Sequence, residues 1–155
     1  SIGGLEFAVL LEALEGKEYE IGLRNLMARY VDAVNRCDAD AWISTWAQDG
    51  EWDLLGNAVT GRDNILAQWR LLMASFEFAL LLPSSCLFEV TGATATGHWY
   101  LHEYNRDLQG TRSTMLSRYD DSYVKVDGQW LFQTRRYSLL YHGAPDLSGA
   151  YFRPA

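Results

Sequence analysis

The sequence predicts an α+β fold in which N-terminal helices wrap a curved antiparallel sheet around a pocket. Up to about Ser75, apolar residues recur mostly at helical spacing. From Phe76 onward four β-rich runs follow, and short turn signals separate them. Helices followed by such strands are typical of a domain whose helices pack on one face of the sheet. At 155 residues the chain is large enough for one core, so we expect a single domain over 1–155.

The N-terminal region is expected to form two helices. Residues 1–16 form an extension with a short helix over 5–15, which has acidic residues on one side and which Gly16 is expected to end. A longer helix runs from about Glu18 to Arg36, and apolar residues recur along one of its faces.

A short helix, a strand and a third long helix follow. Asp38 is a good N-cap for a helix over 39–47, because its carboxylate can accept from the first free amides. A strand is expected over 51–55, with its turn at Gly56-Asn57. The next helix begins near Gly61 and ends at about Ser75.

The strand-rich half is expected to form an antiparallel meander. Its four runs cover 76–90, 93–105, 112–126 and 129–141. Asp127-Gly128, between the last two runs, is a strong hairpin signal. Pro83 interrupts the first run, so that run is expected to bend there or to begin near Ser84. The tail over 142–155 is expected to be irregular, and an uncovered sheet face predicts a homodimer.

Aromatic residues are unusually frequent and favour a pocket. They make up 14% of the chain, with six Trp and nine Tyr, which predicts an aromatic-lined cavity, a dimer face or an aromatic core. Tyr30 and Asn35 lie close to the apolar face of the long helix. A helix that carries hydrogen-bonding groups into an apolar interior often closes a small-molecule site.

Charge and hydropathy exclude several classes of function. A formal charge of −7 disfavours nucleic acid and anionic membrane surfaces as partners, since both attract basic proteins. No apolar run approaches the roughly 20 residues that cross a bilayer. No secretory signal is visible either, so a cytoplasmic location is expected.

The two cysteines do not indicate a metal site. Cys37 and Cys86 have no zinc or redox spacing, and either free thiols or a bridge between them fits the sequence. His98 and His102 would lie roughly 13 Å apart along one strand face, which is too far for a shared metal ion. We therefore expect neither a metal nor another cofactor.

Several local motifs resemble one family. Residues 26–38 resemble the first helix of ketosteroid isomerases, and Trp46-Ala47-Gln48-Asp49-Gly50-Glu51-Trp52 resembles a turn that these enzymes share with scytalone dehydratase and hexachlorocyclohexane dehydrochlorinase. Residues 61–65 and 119–130 resemble the third helix and the last hairpin. Together they resemble the SnoaL-like, or nuclear-transport-factor-two-like, family, which implies a cone-shaped α+β fold. This fold hosts isomerases, lyases and binding modules, so it does not imply one reaction.

The resemblance to the isomerases implies an oxyanion donor but no general base. Tyr30 falls where those enzymes place a tyrosine that stabilises an enolate. Their catalytic carboxylate falls on Leu54, while the neighbouring Asp53 points to the other face of the strand. Trp69 falls on a pocket aromatic.

The resemblance to the dehydratase and the dehydrochlorinase also lacks its base. Their catalytic Asp falls on Asn35, whose amide cannot become an anion. The partner His falls near Leu80 or Leu81, where this chain has none. Arg135 falls on a pocket arginine of the dehydrochlorinase.

The strand over 98–104 offers two replacement bases on opposite faces. Alternation places Glu103 on the face of Trp99 and Leu101, and His102 on the other face. The resemblance favours the Trp99 face as the pocket face, and a Glu whose pKa is raised by burial would suit proton transfer. The alternative role of Glu103 is a structural pair with Arg135. In the other register His102 would act as the proton shuttle, and its alternative role is a hydrogen-bonded residue on the outer or dimer face.

These observations leave functions of different classes open. The first hypothesis is a cofactor-free lyase or isomerase that acts on a hydrophobic cyclic substrate, with Tyr30, Glu103 and His102 as catalytic candidates. The alternatives are a ligand-binding module without turnover, and a partner subunit like the β-subunits of ring-hydroxylating dioxygenases. The residues expected to bind substrate are Asn35, Trp52, Leu54, Trp69, Trp99, Leu101, Arg135 and Tyr137.

Overall fold

The first half of the chain forms three helices and two strands, and the second half forms the remaining strands of one large sheet. The structure, a computed structural model, describes residues 2–155. The helices are α1 (Ile2–Asn35), α2 (Ala39–Ile43) and α3 (Arg62–Ala74). The strands are β1 (Trp46–Leu54), β2 (Asn57–Thr60), β3 (Phe76–Thr91), β4 (Thr94–Asp107), β5 (Arg112–Val126), β6 (Gln129–Gly143) and β7 (Ala150–Tyr151). The α+β class with a curved, unclosed sheet is thus confirmed.

The first helix is continuous, so the predicted break at Gly16 is wrong. Gly16 keeps a negative φ, and nothing packs against it. A glycine inside a helix costs only about 1 kcal/mol, and good helix formers flank this one on both sides. Within residues 3–35 the helix becomes buried against the rest of the fold from Tyr19 onward, where Leu23, Leu26 and Tyr30 are buried.

The second helix is shorter than predicted, and the first strand begins earlier. The expected N-cap is confirmed, because the Asp38 side chain accepts from the backbone N–H of Ala41 at 3.0 Å. The helix nevertheless ends at Ile43 rather than at residue 47. The backbone N–H of Phe132 donates to the carbonyl of Thr45 at 2.9 Å. Pairing with a distant strand therefore overrides the local helical pattern.

The sheet has the strand order β2-β1-β6-β5-β4-β3, and β7 pairs with β6. The predicted meander of β3 to β6 is confirmed, and Asp127 and Gly128 take φ values of 50° and 80° in its last turn. The sequence did not indicate that β1 runs parallel to β6. Pro83 lies inside β3, beside a register shift between Pro83 and Cys86, so this strand continues through an irregularity.

The core is dominated by aromatic rings. All six Trp are buried, and four of them pack together in the layer between the helices and β1. The rings of Trp42 and Trp69 stack with centroids 4.9 Å apart, which joins α2 to α3. Tyr30 joins α1 to the same cluster through Trp42 and Phe132. The helices therefore have a fixed position over the sheet.

Cys37 and Cys86 are both free, and Cys37 is exposed. Within residues 2–155, no helix is long and apolar enough to cross a membrane. The described residues also contain no cluster of three or more His, Cys, Asp or Glu side chains suited to a metal ion.

Candidate functional site

A cavity of about 240 Å³ lies between the helices and the inner face of the sheet. Helix α1 contributes Tyr30 and Val34, and α3 contributes Trp69, Leu72 and Met73. The other apolar lining residues are Trp52, Leu54, Leu55, Phe76, Ala79, Leu80, Leu81 and Met115. Such a lining favours an apolar ligand, and the few polar groups within it would set the orientation of that ligand.

The carboxylate that lines this cavity belongs to Glu103 on β4. Alternation along the strand turns Leu101, Glu103 and Asn105 toward the helices. Glu103 lies in register with Leu81 on one side and with Met115 on the other, so apolar neighbours flank it across the sheet. Among the described lining residues there is no Lys, Arg or His to balance its charge.

The environment of Glu103 favours its protonated form. Burial raises the pKa of this carboxyl to about 7, and the Asn105 amide opposes the rise. A carboxyl with this pKa exchanges its proton readily near neutral pH. The group can therefore accept a proton and return it, as general acid–base catalysis requires.

Three tyrosine hydroxyls complete the polar lining. Burial raises the pKa of the Tyr30 and Tyr119 phenols, while the Arg135 charge opposes that rise. Both phenols remain neutral and can donate hydrogen bonds. Trp52 Nε1 donates to the Tyr119 hydroxyl at 2.8 Å, and the hydroxyls of Tyr30 and Tyr119 also influence each other's pKa. Burial, together with the charge of Glu103, also raises the pKa of Tyr137.

Two polar groups of the lining have no partner. The Tyr137 hydroxyl and Asn105 Nδ2 are buried, and neither has an acceptor at hydrogen-bonding distance, although Asn105 is near enough to Glu103 to oppose the rise of its pKa. Buried polar groups in proteins are nearly always paired, with protein or with bound molecules. Two unpaired donors beside one cavity therefore favour a ligand that carries a hydrogen-bond acceptor.

Arg135 lies behind the tyrosines rather than in the cavity lining. Its side chain is fully buried, and its Nε donates to Asp121 at 2.8 Å. The guanidinium carbon lies 3.9 Å from the ring centroid of Tyr119 and 4.5 Å from that of Tyr30. The alternative pair of Glu103 with Arg135 is therefore not formed, and the counter-ion of Arg135 is Asp121. The guanidinium of this ion pair therefore packs against the rings of Tyr30 and Tyr119.

The structure brings six of the predicted site residues together and leaves five elsewhere. The six that line the cavity are Tyr30, Trp52, Leu54, Trp69, Glu103 and Tyr137. Besides Arg135, the residues outside the lining are Asn35, Trp99, Leu101 and His102.

Each of these four residues has structural contacts. Asn35 Nδ2 donates to the carbonyl of Leu81 at 2.9 Å, and the Leu81 N–H donates to Asn35 Oδ1 at 2.8 Å. His102 Nε2 lies 2.9 Å from Thr114 Oγ1 on the other face of the sheet. Trp99 packs edge-on against Phe88, and Leu101 is a core residue.

Sequence reasoning missed Asn105 and Tyr119. Asn105 lies two residues after Glu103, so the alternation that placed Glu103 would have placed Asn105 beside it. Tyr119 belongs to the motif of the last hairpin, but it received no role. The contributions of Leu72 and Met73 depend on the rotation of α3, which the sequence did not indicate.

Comparisons with known proteins agree with this architecture. A family model described as a SnoaL-like domain matches residues 19–136. No curated protein sequence matches the chain at a significant level. Among solved structures, the fold is similar to "Hexachlorocyclohexane dehydrochlorinase (LinA) Type2", with a TM-score of 0.80, 17% identity and coverage of 92% of this chain and 97% of that one.

Two further solved structures share the fold. A protein named "Putative Scytalone Dehydratase" from Novosphingobium aromaticivorans DSM 12444 has a TM-score of 0.78 and 18% identity over 88% of this chain and 93% of its own. A variant of a protein of unknown function from Mycobacterium tuberculosis has a TM-score of 0.71 and 24% identity over 78% of this chain and 76% of its own. At these identities the likeness concerns the fold, whereas the family model covers most of the sequence. The chain belongs to the family of SnoaL-like domains, and its fold encloses a small-molecule pocket.

Proposed function

We propose that the cavity is the active site of a lyase or isomerase that removes a proton from the carbon next to a carbonyl group of a hydrophobic cyclic substrate. The observation that carries this proposal is Glu103. It is a carboxyl in an apolar cavity with a pKa of about 7 and with no basic side chain among the described lining residues. Buried acids with shifted pKa values are typical of catalytic sites.

The proposed first step is common to both reaction types. The Glu103 carboxylate takes the proton from carbon, and the electron pair moves onto the carbonyl oxygen to form an enolate. Tyr30 and Tyr119 donate hydrogen bonds to that oxygen, since both phenols are neutral at physiological pH. An isomerase then returns the proton from Glu103 to another carbon of the same molecule. A lyase instead expels a leaving group from the adjacent carbon.

The charge of the lining selects against anionic substrates. Glu103 is acidic, and no described residue of the lining can pair with a carboxylate or phosphate of the ligand. A neutral molecule also leaves fewer charges to desolvate in an apolar cavity. The expected substrates are therefore neutral ring compounds with one ketone, held by Trp52 and Trp69 and oriented by Asn105 and Tyr137.

Exchange of carbon-bound hydrogen for deuterium tests the shared step without a known substrate. A panel of neutral cyclic ketones is incubated with the protein in deuterated buffer, and incorporation is followed by mass spectrometry. The rate is expected to rise with pH through about 7, because only the Glu103 carboxylate accepts a proton. Glu103→Gln should reduce the rate by about 10²–10⁴-fold, and Tyr30→Phe by about 10²-fold.

A matched control distinguishes the site from the rest of the protein. Glu89 is an exposed glutamate on β3, and Glu89→Gln should leave exchange unchanged. Full activity of Glu103→Gln would refute the assignment of the base.

The second candidate function is ligand binding without turnover. It is favoured by Asn35, whose amide makes two hydrogen bonds with the backbone of Leu81 and cannot ionise, so this position of α1 supplies no base. A cyclic ketone that raises the melting temperature without any exchange at any pH would support this second function over the first.

A further inference from the structure

The first sixteen residues after Ile2 form a helical arm without a partner inside the molecule. Every residue from Gly3 to Glu18 is exposed, and we call this segment the arm. At about 1.5 Å per residue it extends about 24 Å. Its six large apolar side chains are 44–72% exposed, and they are Leu5, Phe7, Val9, Leu10, Leu11 and Leu14. A projecting helix with so many apolar side chains is expected to be buried in an assembly.

The arm is acidic as well as apolar. Its charged residues are Glu6, Glu12, Glu15, Lys17 and Glu18. At about 100° per residue, Phe7, Leu11 and Leu14 fall on one helix face. Glu15 lies at the margin of that face, and Glu18 continues the face at the C-terminal end of the arm. Glu12 falls on the opposite face. A matching surface would therefore be apolar at its centre and basic at its rim.

The outer face of the sheet carries a surface of that kind. An open groove of about 420 Å³ is lined by residues that include Phe78, Tyr104, Arg106 and Arg112, and we call it the outer groove. Phe78 is 50% exposed and Tyr104 is 40% exposed, although both are large aromatics. Arg112 is exposed, and Arg106 pairs with Glu77 at the surface. Tyr104 and Arg106 lie on the face of β4 opposite to Glu103, whereas Asn105, which also lines the groove, lies on the face of Glu103.

We propose that the arm of one copy docks in the outer groove of a second copy. The apolar face of the arm would cover Phe78 and Tyr104, while Glu15 and Glu18 would face Arg106 and Arg112. A chain with a net charge of −7 repels its own copies at long range, so association requires a local match of opposite charges. Reciprocal exchange of two arms closes a dimer and leaves neither surface uncovered.

Charge reversal on the two surfaces tests this docking directly. One variant carries Glu15→Arg and Glu18→Arg, and the other carries Arg106→Glu and Arg112→Glu. Light scattering of the wild type should give about twice the chain mass of 17.6 kDa. The dimer dissociation constant of each variant alone should rise at least about tenfold, because its arm and its groove then carry charges of the same sign. An equimolar mixture should recover the dimer, since each arm then meets a groove of opposite sign.

Two controls complete the experiment. Glu12→Arg changes the same charge on the opposite face of the arm and should keep the wild-type mass. Leu10→Glu with Leu14→Glu should give a monomer with unchanged circular dichroism, because both side chains are exposed. A monomeric wild type, unchanged mass in both charge-reversed variants, or a mixture that stays monomeric would each overturn the proposal. A monomeric wild type would indicate that a different protein covers the arm.

Discussion

Replacing Glu103 with glutamine should change the pH dependence of stability, independently of any reaction. Glutamine has nearly the shape of the protonated carboxyl and cannot ionise. The substitution therefore fixes this position in the form that the cavity favours. Burial raises the pKa of the carboxyl from 4.5 to about 7 in the folded chain. Between these two pH values the folded chain therefore keeps a proton that the unfolded chain releases.

The sign and size of the effect follow from this difference. Below about pH 4.5 the carboxyl is protonated in both the folded and the unfolded chain, so ionisation of Glu103 does not reduce the free energy of unfolding. As pH rises toward 7 the unfolded chain releases the proton first, and the wild type loses stability. At about 1.4 kcal/mol per pH unit the loss reaches about 3 kcal/mol. Above pH 7 Glu103→Gln should therefore be more stable than the wild type by up to that amount.

Urea unfolding followed by tryptophan fluorescence measures the difference at each pH. Protein concentration is held constant so that association does not alter the comparison. Glu89→Gln is the matched control, because this exposed side chain should give no pH-dependent difference from the wild type. A difference between Glu103→Gln and the wild type that stays constant from about pH 4 to about pH 8 would refute a desolvated carboxyl in the cavity.

Three further substitutions test the surroundings of the site by thermal or chemical unfolding. Asn35→Ala should cost about 1–3 kcal/mol, because it leaves the backbone N–H and carbonyl of Leu81 without partners; an unchanged melting temperature would contradict this role. Arg135→Met should cost about 3–5 kcal/mol, because Asp121 would remain as a buried, unpaired charge. Adding Asp121→Asn should recover part of that loss, and no recovery would argue against the ion pair. Tyr137→Phe should raise stability by up to about 1–3 kcal/mol, since it removes a buried hydroxyl that has no partner, and a loss of stability would reveal a hydrogen bond.

The fold was predictable because its signals are local and repeated. Helical spacing before Ser75 and turn residues between the later strands are properties of neighbouring residues. The two wrong helix boundaries have different causes. The strand that replaces the end of α2 begins at Trp46, which pairs with the distant Phe132 on β6. Gly16 remains helical because its flanks are strong helix formers, and this outweighs one weak residue.

The site was predictable only as two alternatives. Alternation along β4 separates Glu103 from His102, but it does not show which face meets the helices. The partner of Arg135 was also hidden, because Asp121 lies 14 positions away in sequence and becomes its neighbour only through the register of β5 and β6. Side-chain pairs that form across strands depend on that register.

The carboxyls of Asp121, which is buried, and of Glu103, which is half-buried, differ in a way that bears on function. Burial raises the pKa of Asp121, but Arg135 and a hydrogen bond from the Tyr123 hydroxyl at 2.8 Å oppose that rise. Those partners compensate the charge of Asp121, as in a structural ion pair. Glu103 has no basic residue among the described residues of its cavity, so each ionisation there creates a charge that only a ligand or a proton can balance. An acid without a counter-charge reduces the stability of the fold near neutral pH. If position 103 served only to pack the interior, an apolar residue there would make the fold more stable. We infer that the position of Glu103 reflects its use on a ligand, which is the basis for testing this residue first.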